Sequence, residues 1–143
     1  SIKSISSIHF VEHLGDLELF LSLCSNVLVS EGTLNITVPH FSSPYFYSDP
    51  THKNFFGLYT FCYFSSCSFL SMKVPTYEHK INFNLEHISL GFKSPRPFYG
   101  RYIVKRGIGF LMNSNYYLME FWEENLSGIF PCYEISYILT KKN

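Results

Sequence analysis

The chain has no excess of charge of either sign: eleven Lys and Arg stand against eleven Asp and Glu, a formal net charge of zero. That balance removes the long-range field on which non-specific phosphate binding depends, so nucleic acid is not expected as a partner. Cysteine is scarce as well. Cys24, Cys62, Cys67 and Cys132 form no C-x-x-C pair and no dense framework of the kind that staples small secreted domains. They read as reduced thiols of a cytoplasmic protein. No Met, basic segment or small-residue cleavage site opens the chain at Ser1, so no targeting segment is visible and a fragment is expected. Long apolar runs are missing too. The nearest thing to a membrane span, Asn54 to Met72 between Lys53 and Lys73, is uncharged but interrupted by Gly57, Thr60, Ser65, Ser66, Ser68 and Ser71. Such polar density suits a buried, amphipathic connector better than hydrocarbon, and no membrane partner is expected.

What the sequence does have is apolar ring area. Of 143 residues 46% are hydrophobic and 19% aromatic, with 15 Phe and 11 Tyr, which is incompatible with a disordered chain and sufficient for one core. A single domain, or part of one, is the bound.

Ile2 to Ile8 is a short β-favouring run that predicts a strand. Asp16 then offers an N-cap, and Leu17, Phe20, Leu21, Cys24, Val27 and Leu28 fall at the spacing of one buried helical face, so a helix is expected from Asp16 to Val29. Ser30-Glu31-Gly32 supplies the stop, with Gly32 able to take the left-handed conformation, before Leu34, Ile36 and Val38 alternate toward Pro39. Strand, helix, turn and strand make the βαβ unit of a parallel sheet.

His40 to Asn54 has no periodicity and is rich in Ser, Pro, Tyr and His, the character of a functional loop. Thr60 is placed to cap a short aromatic helix, and Lys80 to Phe92 alternates through Ile81, Phe83 and Leu85 as a long strand. Helices are expected over Arg101–Met112 and Tyr116–Leu126. A last strand, Tyr133–Leu139, should run to a solvated end at Lys141-Lys142. No internal repeat is present.

Taken in order, the segment from Ser1 through His9-Phe10-Val11-Glu12-His13-Leu14, then Val27-Leu28 with Glu31-Gly32, then Val38-Pro39-His40, resembles the second half of a class I S-adenosylmethionine-dependent methyltransferase of the type 11 group. The loop adds to the likeness. Ser48-Asp49-Pro50-Thr51-His52-Lys53-Asn54-Phe55-Phe56 is similar to that family's D-P-T-H segment, Thr60 to Phe64 to the S-F-x-Y-F after it, and Phe130 to Ile135 to its last strand.

The resemblance implies an α/β fold: a partial Rossmann-like methyltransferase sheet that lacks its first strands and ends in an antiparallel pair. Residues 1–143 would be the C-terminal part of a single domain, with strands near 2–8, 33–38, 80–92 and 133–139. The implied activity is methyl transfer from S-adenosylmethionine, as co-substrate, to a small-molecule or sugar acceptor. One departure matters. No Gly-rich turn of the cofactor-binding kind occurs, and the only G-x-G, Gly107-Ile108-Gly109, falls in an expected helix, so the cofactor-binding residues stay unassigned. The chain would then be inactive alone, aggregating or completed by a missing N-terminal half or a complementing chain on an exposed sheet edge. The alternative is a non-catalytic, degenerate or split module that only pairs with another chain.

In an open α/β sheet the ligand crevice lies beyond the carboxyl ends of the parallel strands, which brings His9 to His13 and His40 to His52 to one edge. His9 and His13 are the candidate catalytic residues, because an imidazole titrating near about pH 6.5 can hold a proton in passing. His40, Asp49, Thr51, His52 and Phe55 are the candidate substrate-binding residues, with Tyr47, Phe55 and Phe56 walling off water. Glu12 is expected to be structural, accepting bonds from backbone amides, and Trp122 to be core. His9 to His13 also fits H-x-x-E-H, whose zinc chemistry needs both histidines on one helical face. Here a strand precedes the motif and the helix starts after it, so no metal is expected.

Overall fold

The computed structural model describes residues 1–75 and 81–143. Lys80, the expected start of the third strand, lies outside the described residues.

Strand β1 (Ile2–Ile8) leads through a 3₁₀ turn at Val11–His13 into α1 (Leu17–Val27). Asp16 caps that helix, its Oδ1 accepting from the Leu19 N–H at 2.9 Å. Leu21 and Cys24 are buried, whereas Val27, expected on the same face, is exposed.

The join to the next strand differs from the expected turn. Leu28 N–H bonds to Cys24 O and is already the first residue of β2 (Leu28–Pro39). Ser30-Glu31-Gly32 is a bulge within that strand: Ile2 lies opposite Leu28 and Ser4 opposite Thr33. The left-handed residue is Glu31, at φ 61°, not Gly32. Glycine is needed at 32 for space, because a Cβ there would stand 2.8 Å from Val29 O.

Beyond β2 come α2 (Pro44–Ser48), a 3₁₀ turn at Thr60–Tyr63, β3 (Phe83–Gly91), α3 (Tyr99–Met112), α4 (Tyr116–Asn125) and β4 (Glu134–Lys141). Tyr59, not Thr60, is the N-cap of the 3₁₀ turn, and the Thr60 hydroxyl instead accepts from Gly57 N–H. The sheet order is β1-β2-β4-β3. β1 and β2 are parallel, and β4 runs antiparallel to both β2 and β3, the closing arrangement expected. Lys141 and Lys142 are not a solvated end. Their ammonium groups donate to Leu28 O and Ser66 Oγ, each at 2.7 Å, and tie the terminus to the start of β2 and to the segment beside the start of β3.

Alternation gives the sheet one apolar face: Leu34, Ile36 and Val38 of β2, Ile135, Tyr137 and Leu139 of β4, and Leu85, Ile88 and Leu90 of β3 are all buried. Phe56, Leu58, Phe61, Met119 and Trp122 belong to the same core, and Phe61 meets Tyr137 edge-on at 4.5 Å. Each such side chain fully buried contributes about 1.5–3 kcal/mol against exposure. The opposite face is polar: Thr37 and Ser136 share a 2.9 Å bond, and Thr33 donates to Ser4 at 2.9 Å. In β1 only Ser7 is buried, and among the described residues its outer edge pairs with nothing. All four cysteines are free thiols. Among the described residues no helix is long and apolar enough to cross a membrane.

Candidate functional site

Because β1 and β2 are parallel and β4 is antiparallel to β2, the end of β1, the end of β2 and the start of β4 share one edge of the sheet. A cleft of about 230 Å³ opens there, lined by His9, Glu12, His13, Ser43, Asp49, His52 and three residues, Pro39, Tyr45 and Tyr133, that frame it.

His9 leaves β1 with φ 49°, a left-handed conformation that costs a non-glycine residue free energy and is held by its N–H to Thr37 O at 2.9 Å. That turn aims the imidazole back along the edge. Its Nε2 lies 3.1 Å from Glu134 Oε2, and Glu134 is also bound by Lys93 Nζ at 2.7 Å. Its Nδ1 lies 3.6 Å from Glu12 Oε1.

The loop after β2 is clamped onto the turn after β1, which is why residues distant in sequence meet. Lys53 N–H donates to Glu12 O at 2.7 Å, and the Asn54 side chain donates to Val11 O and Leu14 O at 3.2 and 2.7 Å. Within the loop, Asp49 Oδ1 accepts from the Thr51 N–H at 2.9 Å and the Thr51 hydroxyl at 2.6 Å. Those bonds, the side-chain one first, hold the Asp49 carboxyl below the ordinary carboxylate range. Since the Thr51 hydroxyl hydrogen is spent on Asp49, Thr51 Oγ1 accepts from His13 Nδ1–H at 2.9 Å. His52 Nδ1–H donates to Phe46 O at 2.8 Å, and its ring packs 4.8 Å from both His13 and Phe46. In the neutral rings Nε2 of each carries a lone pair, and that of His52 lies 3.6 Å from Asp49 Oδ2.

Glu12 is 1% exposed, and among the described residues no backbone amide donates to its carboxylate, unlike the bonding expected for it. Among the described residues its buried Oε2 has no hydrogen-bond partner, and neither has the hydroxyl of Ser43 beside it in the cleft.

Thus His9, His13, Asp49, Thr51 and His52 come together, while His40 and Phe55 do not join them. His40 is fully buried: Nδ1 accepts from Ser42, and Nε2 donates to Glu123 Oε2 at 3.0 Å. Phe55 lies on Phe46 at 5.0 Å and is mostly solvent-exposed, as is Tyr47; Phe56 is in the core. The walls are instead Tyr45 and Tyr133, with rings 5.7 Å apart. Tyr133 and Glu134 escaped sequence reasoning because only the antiparallel register of β4 carries them to this edge. Ser43 and Tyr45 had a weaker signal, their place in the suspected loop.

A larger cleft of about 580 Å³ lies against α4, lined by Leu58, Tyr59, Glu120 and Glu123 among others. Two of its carboxylates, Glu120 and Glu123, are already engaged. Glu120 accepts from Tyr59 and twice from Ser71, and Glu123 from His40 and Leu58 N–H. Burial and the bond to Glu120 push the Tyr59 hydroxyl up to about 12.

No protein-family model matches the sequence, and no curated protein does. Among solved structures the chain is similar to a SAM-dependent methyltransferase from Archaeoglobus fulgidus, with a TM-score of 0.51 and 21% identity over 97% of this chain. The chain spans 59% of the length of that structure. The likeness shows the fold: a methyltransferase-like, partial Rossmann sheet of mixed α/β type. The described residues do not, however, fit S-adenosylmethionine itself. No described glycine has positive φ, and Gly107-Ile108-Gly109 lies within α3, where the space a Cβ would take at Gly109 is closed by Phe92 at 3.2 Å. Among the described residues these glycines form no nucleotide cradle.

Proposed function

We propose that this chain is the acceptor-side part of an S-adenosylmethionine-dependent methyltransferase acting on a small polar molecule or a carbohydrate. The observation that supports this reading is the cleft of His9, His13, Asp49 and His52 at the carboxyl edge of the parallel strands, beside the free edge of β1. Methyl transfer is an in-line displacement, so its first need is an acceptor held in register in a water-poor site. Tyr45 and Tyr133 would flank that acceptor, Asp49 and Thr51 would bond its hydroxyls, and His9, oriented by Glu134, would take a proton from the attacking oxygen. The cofactor would be held by strands paired on the outer edge of β1, from a longer form of this protein or a complementing chain. The chain alone is then inactive.

The second reading, a non-catalytic pairing module, is favoured by the missing glycine turn. Calorimetric titration of S-adenosylhomocysteine separates the two. The chain alone should not bind, and a form extended upstream by about one hundred residues, the scale of a half-domain, should. Absence of binding by both forms would overturn the catalytic reading in favour of the module.

A further inference from the structure

An ionised carboxylate taken out of water needs a cation or a set of donors. Glu12 has neither in full. Among the described residues no Lys or Arg pairs with it, its neighbours within 4 Å are the imidazoles of His9 and His13, and Oε2 has no partner. One donor atom from each of Glu12, His13 and His52 lies within 4.8 Å of the others.

The rings are wired for ligation. A metal-bound imidazole offers one nitrogen to the ion and gives its other N–H to a carbonyl, hydroxyl or carboxylate that fixes tautomer and orientation. His13 Nδ1–H is held by Thr51, itself bonded to Asp49, and His52 Nδ1–H by Phe46 O. In the neutral rings both Nε2 atoms carry lone pairs; His13 Nε2 stands 3.8 Å from Glu12 Oε1 and His52 Nε2 3.6 Å from Asp49 Oδ2. The zinc-peptidase reading of the same H-x-x-E-H string fails, because Val11–His13 is a 3₁₀ turn and His9 points to Glu134. His52, from the loop after β2, takes the place that His9 would have had.

We propose that Glu12, His13 and His52 bind a divalent first-row transition ion of the zinc type. Two imidazoles and one carboxylate suit such an ion better than magnesium or calcium, which prefer all-oxygen shells. On a tetrahedral ion with bonds of about 2.0–2.1 Å the donors stand roughly 3.3 Å apart, so the three side chains close by about an ångström or more. Three protein ligands at the mouth of a cleft leave a position for an oxygen of a bound molecule, the open kind of site. His9 stays unligated beside it. The inference does not rest on methyl transfer, since the three ligands belong to this chain and ion binding is read without S-adenosylhomocysteine.

The test is titration of the chelator-stripped 143-residue chain with Zn²⁺ against a chromophoric chelator, and with Co²⁺ followed in the visible. The expected result is one ion per chain and cobalt ligand-field bands without thiolate charge transfer. His52→Ala and Glu12→Gln should each weaken binding at least 100-fold. Thr51→Val, which removes only the bond orienting His13, should weaken it about tenfold, the lower end for outer-shell partners. His87→Ala should leave it unchanged, and circular dichroism would confirm that each variant folds. The proposal is overturned by the absence of stoichiometric binding, by equal affinity in Glu12→Gln and His52→Ala, or by a thiolate spectrum placing the ion on the cysteines.

Discussion

Two glutamates beside histidines, Glu123 and Glu12, are wired in opposite ways. Beneath α4, Glu123 accepts from His40 Nε2 at 3.0 Å and from Leu58 N–H at 2.8 Å. His40 Nδ1 accepts from Ser42, whose hydroxyl oxygen accepts from Cys132 N–H at 3.0 Å. Donors and acceptors there are matched, and the pair joins the loop after β2 to α4 and to the approach to β4. At the strand edge, Glu12 is buried more deeply than Glu123, yet one oxygen has no donor and two nearby imidazoles keep a lone pair. A satisfied buried network contributes rigidity; an unsatisfied one costs stability and persists where a ligand is to complete it. The same residue types thus act as a structural tie in one place and as a site in the other.

Glu123→Ala should destabilise the fold most. It strands the His40 Nε2–H and the Leu58 N–H away from water and should cost about 2–4 kcal/mol. Urea unfolding of the variant measures it, and a loss below about 1 kcal/mol would mean that the tie is not structural. Glu12→Gln, in chain stripped of ions, should behave oppositely. Because Oε2 has no bond to lose, the amide of the same shape should leave stability within about 1 kcal/mol or raise it. A loss as large as that of Glu123→Ala would place Glu12 with the structural group.

A smaller effect concerns the thiols, where a neighbouring thiol and burial act in opposite directions. The Cys62 S–H donates to Cys67, holding the Cys67 thiol down at about 6, whereas burial pushes Cys24 and Cys132 up. Cys67 should alkylate first at neutral pH. Its rate should climb through about pH 6 and level off above, since the thiolate is the reactive form, and Cys62→Ala should move that climb toward the ordinary thiol range. Mass-spectrometric mapping of iodoacetamide labelling over pH reads both. Preferential labelling of Cys132 or Cys24 would contradict the assignment.

Local periodicity was enough for the elements that bury one side. Leu21 and Cys24 on α1, the alternation Leu34-Ile36-Val38, and that of Ile135-Tyr137-Leu139 each place apolar groups on one face whatever the neighbours are. The parallel pairing of β1 with β2 followed, since a helix lies between them. Boundaries were less legible. Gly32 looks like a helix stop in sequence and is a bulge glycine in the fold, because the close approach of Val29 O depends on how β1 and β2 pair.

For the site, the sequence by itself marked His9, His13, Asp49, Thr51 and His52 through strand ends and loop composition, which are local properties. It could not separate His40 from them, because both stand in the same loop and only the packing of α4 brings Glu123 to one and not to the other. Nor could it show that Glu12 Oε2 is left unsatisfied, that Thr51 and Phe46 O take up the Nδ1–H of His13 and of His52, or that Glu134 arrives from the far end of the chain. Residue type and spacing decide which chemistry is available. Which lone pairs are spent and which remain is decided by hydrogen bonds between segments that only the folded chain brings together.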